Sequence, residues 1–595
     1  PSYTAGWSLK YSLFQFDYAY NVAPTLPDTH RFSASLSFEF SPQLVKIEEV
    51  TLEPVFASLY KRYSTHDAGT VVLRNKHKEP LEVSVSVFIP GYMDAPTEVA
   101  REVLPPAIGD EPAYAQSMEL RPVFSDKMLS LISNAQRQME VVVNYEHLKR
   151  TRRVKGSAKA TLYKIGMLPL GEDVSPIAAL IDPDDEVVHQ FARGVMSQTS
   201  PPAPLQLGED ETSAISENIS KAMLLFDALS AYGIKYVSDP YNPYSEVSGK
   251  TEAIDSVKYP REVLNPKNKT GDCDDGSALY ATLLENVGIH TMLVDVPGHV
   301  YVMFDTGIHS NSFERMCLPE DMYIVLGEAI WLPVEVTMYG KSFISAWQEG
   351  LSEYHKWQET GQLKLVDVHQ AWEKYQRTHP PTTPPEITAP ALAKIDEQVF
   401  LDVQQMRQLQ DDFLVALEQS IQTTPGNLVQ RNILGITYVG LNEYDKAEEQ
   451  FQQIITIAPD NAAARNNLGN LYVIGGRIDD AISSYESAHA HSPDDPGIYL
   501  NLGMGYLITD NQTESQNMLE QAFQKLEDYE AACELVGVRS QEPGAKGAKE
   551  PLMAIEIRSL FISAAEGADV EAAVKKTGLR ATAIGKEEIY LYWKR

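Results

Sequence analysis

Cysteine is scarce in this chain: three residues, Cys273, Cys317 and Cys533, among 595. So sparse and odd a number excludes a disulfide framework and leaves at least one free thiol. Long apolar runs are missing too. No stretch of roughly 18 apolar residues occurs, which excludes a membrane-spanning helix. Positive charge is in deficit, 50 lysines and arginines against 82 carboxylates, for a net charge of −32. A polyanion of this size is repelled by nucleic acid and by anionic headgroups, so neither is expected as a main partner. A methionine start and a signal peptide are also lacking at Pro1, and a mature form or a fragment is the expectation. What is present is a globular composition, 43% hydrophobic and 22% charged, too long for one core. The fold class expected is multidomain α+β.

Residues 1–42 are dense in β-formers. "HRFSASLSFEF" places Phe32, Ala34, Leu36, Phe38 and Phe40 on one face and Ser33, Ser35, Ser37 and Glu39 on the other. "LFQFDYAY" behaves similarly, and the turn-rich "NVAPTLPDT" between them predicts strand, loop, strand. Such alternation suits the edge of a soluble sandwich or the strands of an outer-membrane barrel. The pair resembles the closing strands of bacterial outer-membrane barrels. That resemblance implies attachment to the outer membrane, with the later domains in the periplasm. Residues 43–175 continue as short β-runs separated by turns, among them "GTVVLRN", "LEVSVSVFIP" and "QMEVVVNYEH". They predict an immunoglobulin-like sandwich.

The period shifts from 2 toward 3.6 near residue 183, and a mixed α/β region, 183–375, follows. Proline then stiffens a linker at 376–394, "THPPTTPPEITAP". Beyond it, Leu434-Gly435 and Tyr438 recur 34 residues later as Leu468-Gly469 and Tyr472, and again as Leu502-Gly503 and Tyr506. Ala447 returns as Ala481 and Ser515, Phe451 as Tyr485 and Leu519, and Pro459 as Pro493. Period, glycine, small residue and proline coincide as in tetratricopeptide repeats, so residues 395–530 are expected to hold three of them behind a leading helix. Stacked helical hairpins form a groove suited to a protein or peptide ligand, although an array can also be a plain spacer. The tail, 550–595, has a helical and a strand-like piece and no assignable role.

The chemistry gathers at "GDCDDGSALYATLLENVGIHT", Gly271–Thr291. A calcium loop is excluded on spacing: counted from Asp272, the glycine is fifth rather than sixth, and position twelve is Leu283 rather than glutamate. No zinc-spaced cysteine or histidine is near, so neither metal nor cofactor is expected. Cys273 is then a small core residue or a nucleophile. Leu279, Leu283, Leu284 and Val287 recur at helical spacing after it. In a first helical turn, unpaired N–H groups and the helix dipole favour thiolate. Asp272, Asp274 and Asp275 oppose that unless paired. A nucleophile needs a base, and His299 opens a strand after Pro297-Gly298, with Val300, Val302 and Phe304 on its opposite face. Glu335, sharing a face with Trp331, Pro333 and Thr337 in "AIWLPVEVT", could orient the imidazole.

The order GDCDD, helix, PGH strand, then W-L-P-V-E-x-T resembles the transglutaminase-like cysteine peptidase superfamily over about 215–350, as do "GIKYVSDPYNPYS" and "VKYPREVL" upstream. The resemblance implies Cys273 as nucleophile, His299 as base and Glu335 as the acidic third member, with Asp272, Asp274, Asp275 and Trp331 as support. The chain departs from the family in using Glu for Asp and in the 36 positions between His299 and Glu335, which include "HSNSFERMCLPED". It also has no glutamine between Gln206 and Cys273 to complete an oxyanion site. A cysteine hydrolase or acyltransferase is implied, with an envelope protein or peptidoglycan peptide as substrate. The alternative is a non-catalytic envelope scaffold with a degenerate domain.

Overall fold

The structure is a computed structural model. It describes residues 3–11, 14–23, 26–36, 43–108, 114–171, 173–198, 216–238, 253–380, 383–388, 390, 392–535, 582–584 and 587–589. The chain divides into two compact units. The first comprises Pro1–Val55, Tyr63–Lys127 and Asn134–Leu162; the second comprises Phe56–Arg62, Met128–Ser133 and Tyr163–Arg595. Among the described residues no helix is long and apolar enough to cross a membrane.

In the first unit, β1 (Tyr3–Tyr11), β2 (Phe14–Ala23) and β3 (Leu26–Leu36) form an antiparallel meander. Two of these strands were legible in the sequence. The third, β1, was not, and the expected loop shrinks because Asn21 pairs with Thr29 and Ala23 with Leu26. Ladder bonding overrides the turn signals here, and Pro27 is tolerated because β3 is an edge strand. Phe32 lies opposite Tyr18 with ring centroids 5.0 Å apart, and Ala34 lies opposite Phe16. Phe38 and Phe40 lie outside the described residues.

Two further antiparallel sheets follow. One has the order β4 (Val45–Leu52), β5 (Gly69–Asn75), β8 (Gln116–Glu119). The other runs β7 (Thr97–Leu104), β6 (Leu81–Phe88), β9 (Ala135–His147), β10 (Arg150–Tyr163) and ends on the two-residue strand Val55–Phe56. Alternation drives them: Leu81, Val83, Val85 and Val87 of β6 and Met139, Val141, Val143 and Tyr145 of β9 are buried, while their sequence neighbours are more exposed.

The second unit begins with α1 (Glu186–Gln198) and α2 (Glu217–Tyr232). A parallel pair of two-residue strands, β11 (Lys235–Tyr236) and β12 (Thr270–Gly271), leads into α3 (Cys273–Asn286). Strands β13 (Thr291–Val296), β14 (His299–His309), β15 (Ile324–Leu326), β16 (Ala329–Val334) and β17 (Lys364–Asp367) form an antiparallel sheet of order β15–β16–β14–β13–β17. Val300 through Phe304 of β14 are all buried, and helices α2 and α3 pack against this central strand. Helix α4 (Phe343–Glu359) packs on β16, where a Cβ at Gly350 would come within 2.7 Å of the Pro333 carbonyl. A short α5 (Val368–Lys374) closes the region.

Helix α6 (Leu392–Thr423) starts inside the expected linker 376–394. Three hairpins follow: α7 (Leu428–Gly440) with α8 (Tyr444–Ile457), α9 (Ala462–Ile474) with α10 (Ile478–His491), and α11 (Pro496–Ile508) with α12 (Gln512–Leu535). The repeat signature closes each hairpin. A Cβ at Gly435 would come within 2.6 Å of the Phe451 ring, one at Gly469 would strike Tyr485, and one at Gly503 would come within 2.6 Å of Leu519. Ala447 and Ala481 are fully buried, and Ser515 in the third copy donates to the Gly503 carbonyl at 2.8 Å.

The linker does not free this array from the region before it. Asp402 of α6 accepts the N–H groups of Phe343 and Ile344 at 3.1 Å each. Gln410 donates to the Met316 carbonyl at 3.1 Å, and Cys317 packs at α7, its sulfur 3.9 Å from the Thr437 carbonyl. Of the tail, Thr582–Ile584 and Glu587–Ile589 pair as a hairpin. The expected helical piece lies outside the described residues.

Candidate functional site

Gly271 ends β12 and turns the chain into α3. A Cβ there would come within 2.6 Å of the Asp275 Cβ, so only glycine lets the turn close. The Asp272 N–H donates back to Asp275 at 3.4 Å. Cys273 is the first residue of α3, and its side chain is 5% exposed. Its backbone N–H lies in the first turn, where no intrahelical acceptor exists. Burial pushes the Cys273 thiol well up, and Asp274 and Asp272 add to the effect. The Val300 backbone works the other way and favours thiolate. Ser277, one turn further along α3, donates to the Val300 carbonyl at 3.1 Å, which sets the foot of the helix against the strand that His299 opens.

His299 stands at the start of β14, directly after the tight Pro297-Gly298 turn, where Gly298 has φ +76°. Val296 pairs with His299 across this two-residue connection. The imidazole Nε2 lies 2.6 Å from Glu335 Oε2. The other Glu335 oxygen accepts the Thr337 N–H at 2.9 Å and its hydroxyl at 2.6 Å. Burial acts to raise the Glu335 carboxyl, but the hydrogen bond and charge of His299, with the Thr337 donors, outweigh it and hold the group below the usual carboxylate range. With Nε2 engaged by Glu335, Nδ1 is the nitrogen left for the thiol proton.

His299 and Glu335 are therefore joined, and Cys273 opens the helix that packs on the His299 strand, though Glu335 is not on a strand. It follows β16 as the N-cap of the 3₁₀ turn Val336–Met338, a position suited to a carboxylate. Trp331 is not part of the pair: it packs edge-on against His290, with centroids 5.3 Å apart.

The three aspartates are buried rather than turned outward. Asp275 pairs with the Lys258 ammonium and accepts the Lys258 N–H at 2.6 Å. Burial, then Asp272, raises the Asp275 carboxyl to about 7, with Lys258 opposing. Burial and Asp272 likewise push Asp274 well up. One oxygen from each of Asp272, Asp274 and Asp275 lies within 4.8 Å of the others, an arrangement that could hold a cation and that loop spacing alone did not reveal.

Sequence reasoning missed Lys258, although it lies in "VKYPREVL", and Tyr236, which pairs in register with Gly271. Burial raises the Tyr236 phenol, and Cys273, Asp272 and Glu335 add to the effect.

The tetratricopeptide repeat family matches residues 434–496, and the chain contains these repeats. Among solved structures, a crystal structure of MamA is 22% identical over 22% of this chain and 75% of that one, with a TM-score of 0.20. A second MamA structure is 24% identical over 23% and 78%, with a TM-score of 0.19. Likeness this low carries no functional meaning. No curated protein matches the chain.

Proposed function

We propose that residues 183–375 form a transglutaminase-like cysteine hydrolase or acyltransferase, to which the repeats bring protein partners. One observation carries this reading: the 2.6 Å His299–Glu335 hydrogen bond lies at the start of β14, and Ser277, one turn after Cys273 in α3, donates to the carbonyl of the next strand residue, Val300, at 3.1 Å. His299 takes the thiol proton on Nδ1, and the sulfur attacks the carbonyl carbon of a peptide or carboxamide. The C–N bond breaks, and the histidine returns its proton to the departing amine or ammonia. Water or a second amine then attacks the thioester and releases Cys273. The Cys273 N–H in the open first turn suits the developing oxyanion. No cofactor enters these steps.

The strand orders β4–β5–β8 and β7–β6–β9–β10 support an immunoglobulin-like sandwich for residues 43–175. The exposed Phe16 and Phe32 on the meander support a membrane-facing role for residues 1–42. Substrates in the bacterial envelope, a protein or a peptidoglycan peptide, follow from that placement. The second reading, a scaffold without chemistry, is favoured by the burial of Cys273 beside Asp274 and Asp272, which acts against thiolate.

The test is incorporation of a fluorescent primary amine into casein, with ammonia release measured in parallel. Cys273→Ala should abolish both while leaving the fold intact. His299→Ala should cost about 10²–10⁴-fold, and Glu335→Gln less, since the amide oxygen still accepts from Thr337. Unchanged turnover in Cys273→Ala sinks the enzymatic reading.

A further inference from the structure

Each repeat places the same tyrosine against a glutamate of the preceding helix. Tyr438 donates to Glu418 at 2.6 Å, Tyr472 to Glu448 at 3.1 Å and Tyr506 to Glu486 at 2.7 Å. These three rungs run the length of the array. In the first, Lys446 lies 5.4 Å from the Tyr438 ring centroid. In the second, the Arg477 guanidinium lies 4.0 Å from the Tyr472 centroid, with a nitrogen 3.6 Å from Glu448. In the second rung ring and carboxylate thus hold a cation between them, whereas in the first Lys446 pairs with Glu443 at 3.3 Å; in both the chain supplies the cation from within.

The third rung differs. The repeat register carries Lys446 to Asp480 and then Glu514, and Arg477 to Asn511. The register is structural as well: Glu443, Arg477 and Asn511 each donate their backbone N–H to the rung tyrosine's carbonyl, at 2.8, 2.7 and 2.8 Å. Among the described residues no lysine or arginine lies over Tyr506. Its ring is half-buried, while Glu486, Asn511 and Glu514 are exposed. Glu514 acts electrostatically on the phenol together with Glu486. The third rung therefore has the ring and two carboxylates and lacks the cation that lies over the first two rings.

We infer that Tyr506, Glu486 and Glu514 receive an arginine side chain presented by a basic segment of a partner protein, an inference that rests on the partner-binding reading of the repeats. Arginine suits the site better than lysine, because its flat guanidinium can stack on the ring while its N–H fork engages carboxylates. Charge complementarity points the same way: residues 427–528 carry 15 carboxylates against 5 lysines and arginines, a field that draws basic segments.

The test uses the full chain and a fluorescein-labelled peptide, Gly-Ser-Gly-Arg-Gly-Arg-Gly-Ser-Gly, with a lysine counterpart, read by fluorescence anisotropy. Asn511→Arg restores in cis the cation that Arg477 supplies one repeat earlier, and should block the arginine peptide. Thr456→Arg, exposed on α8 and equal in charge, should not. Glu486→Gln and Tyr506→Leu should weaken binding about fivefold or more, and Tyr506→Phe, which keeps the ring face, should retain most of it. Equal affinity for the lysine peptide, or a Kd unmoved by Asn511→Arg and Glu486→Gln, would overturn the arginine site. Binding that emerges only after removal of residues 536–595 would assign the site to the chain's own tail and overturn the partner. None of these failures touches the Cys273 chemistry, which the amine assay tests separately. Nor do they decide the wider partner role of the array, which any ligand bound away from Tyr506 would preserve.

Discussion

Asp275 shows how a single residue ties the candidate site to stability. An unfolded aspartate loses its proton near about 3.9, whereas the buried Asp275 keeps it up to about 7. Between those values the native state binds more protons than the unfolded one, so this group lowers stability as pH rises through that window. Asp275→Asn removes the titration. Relative to the wild type, it should therefore gain stability between pH 4.5 and pH 7.5, read as the shift in urea midpoint. An unchanged difference across that range would mean that Lys258 keeps Asp275 ionised throughout. The sequence made Cys273, His299 and Glu335 legible because each sits in a short motif with its own chemistry. It did not reveal that Asp275 is turned inward, because its partner Lys258 lies 17 positions away in the chain.

At the scale of elements, legibility followed the range of the interactions. The repeat hairpins could be read because their contacts return every 34 residues. The docking of α6 on the N-terminus of α4, and of Cys317 on α7, could not, since those contacts join residues 58 and 120 positions apart. Within the hairpins, Gly469 decides how closely α9 and α10 approach. Alanine in place of glycine ordinarily favours a helix by about 1 kcal/mol. Here its Cβ would strike the fully buried Tyr485 ring, and overpacking of this kind costs about 1–3 kcal/mol. Gly469→Ala should therefore destabilise the chain in urea unfolding. A stabilised variant would show that Tyr485 can move aside.

For the whole molecule, place and activity are linked. If residues 1–42 close an outer-membrane barrel, β3 delivers the chain from residue 42 onward to the periplasm. Protease added to intact cells should then spare everything beyond that point until the outer membrane is permeabilised, as followed by immunoblot. Digestion in intact cells would place these domains outside. The account depends most on Cys273 being activated by His299. The direct measurement is the rate of Cys273 carbamidomethylation by iodoacetamide in the full chain, mapped by mass spectrometry from pH 6 to pH 9. The wild type should be modified at Cys273 ahead of the equally buried Cys317, at a rate rising with pH, and His299→Ala should slow it about tenfold or more at neutral pH. Equal rates at the two cysteines, or a rate untouched by His299→Ala, would contradict the account.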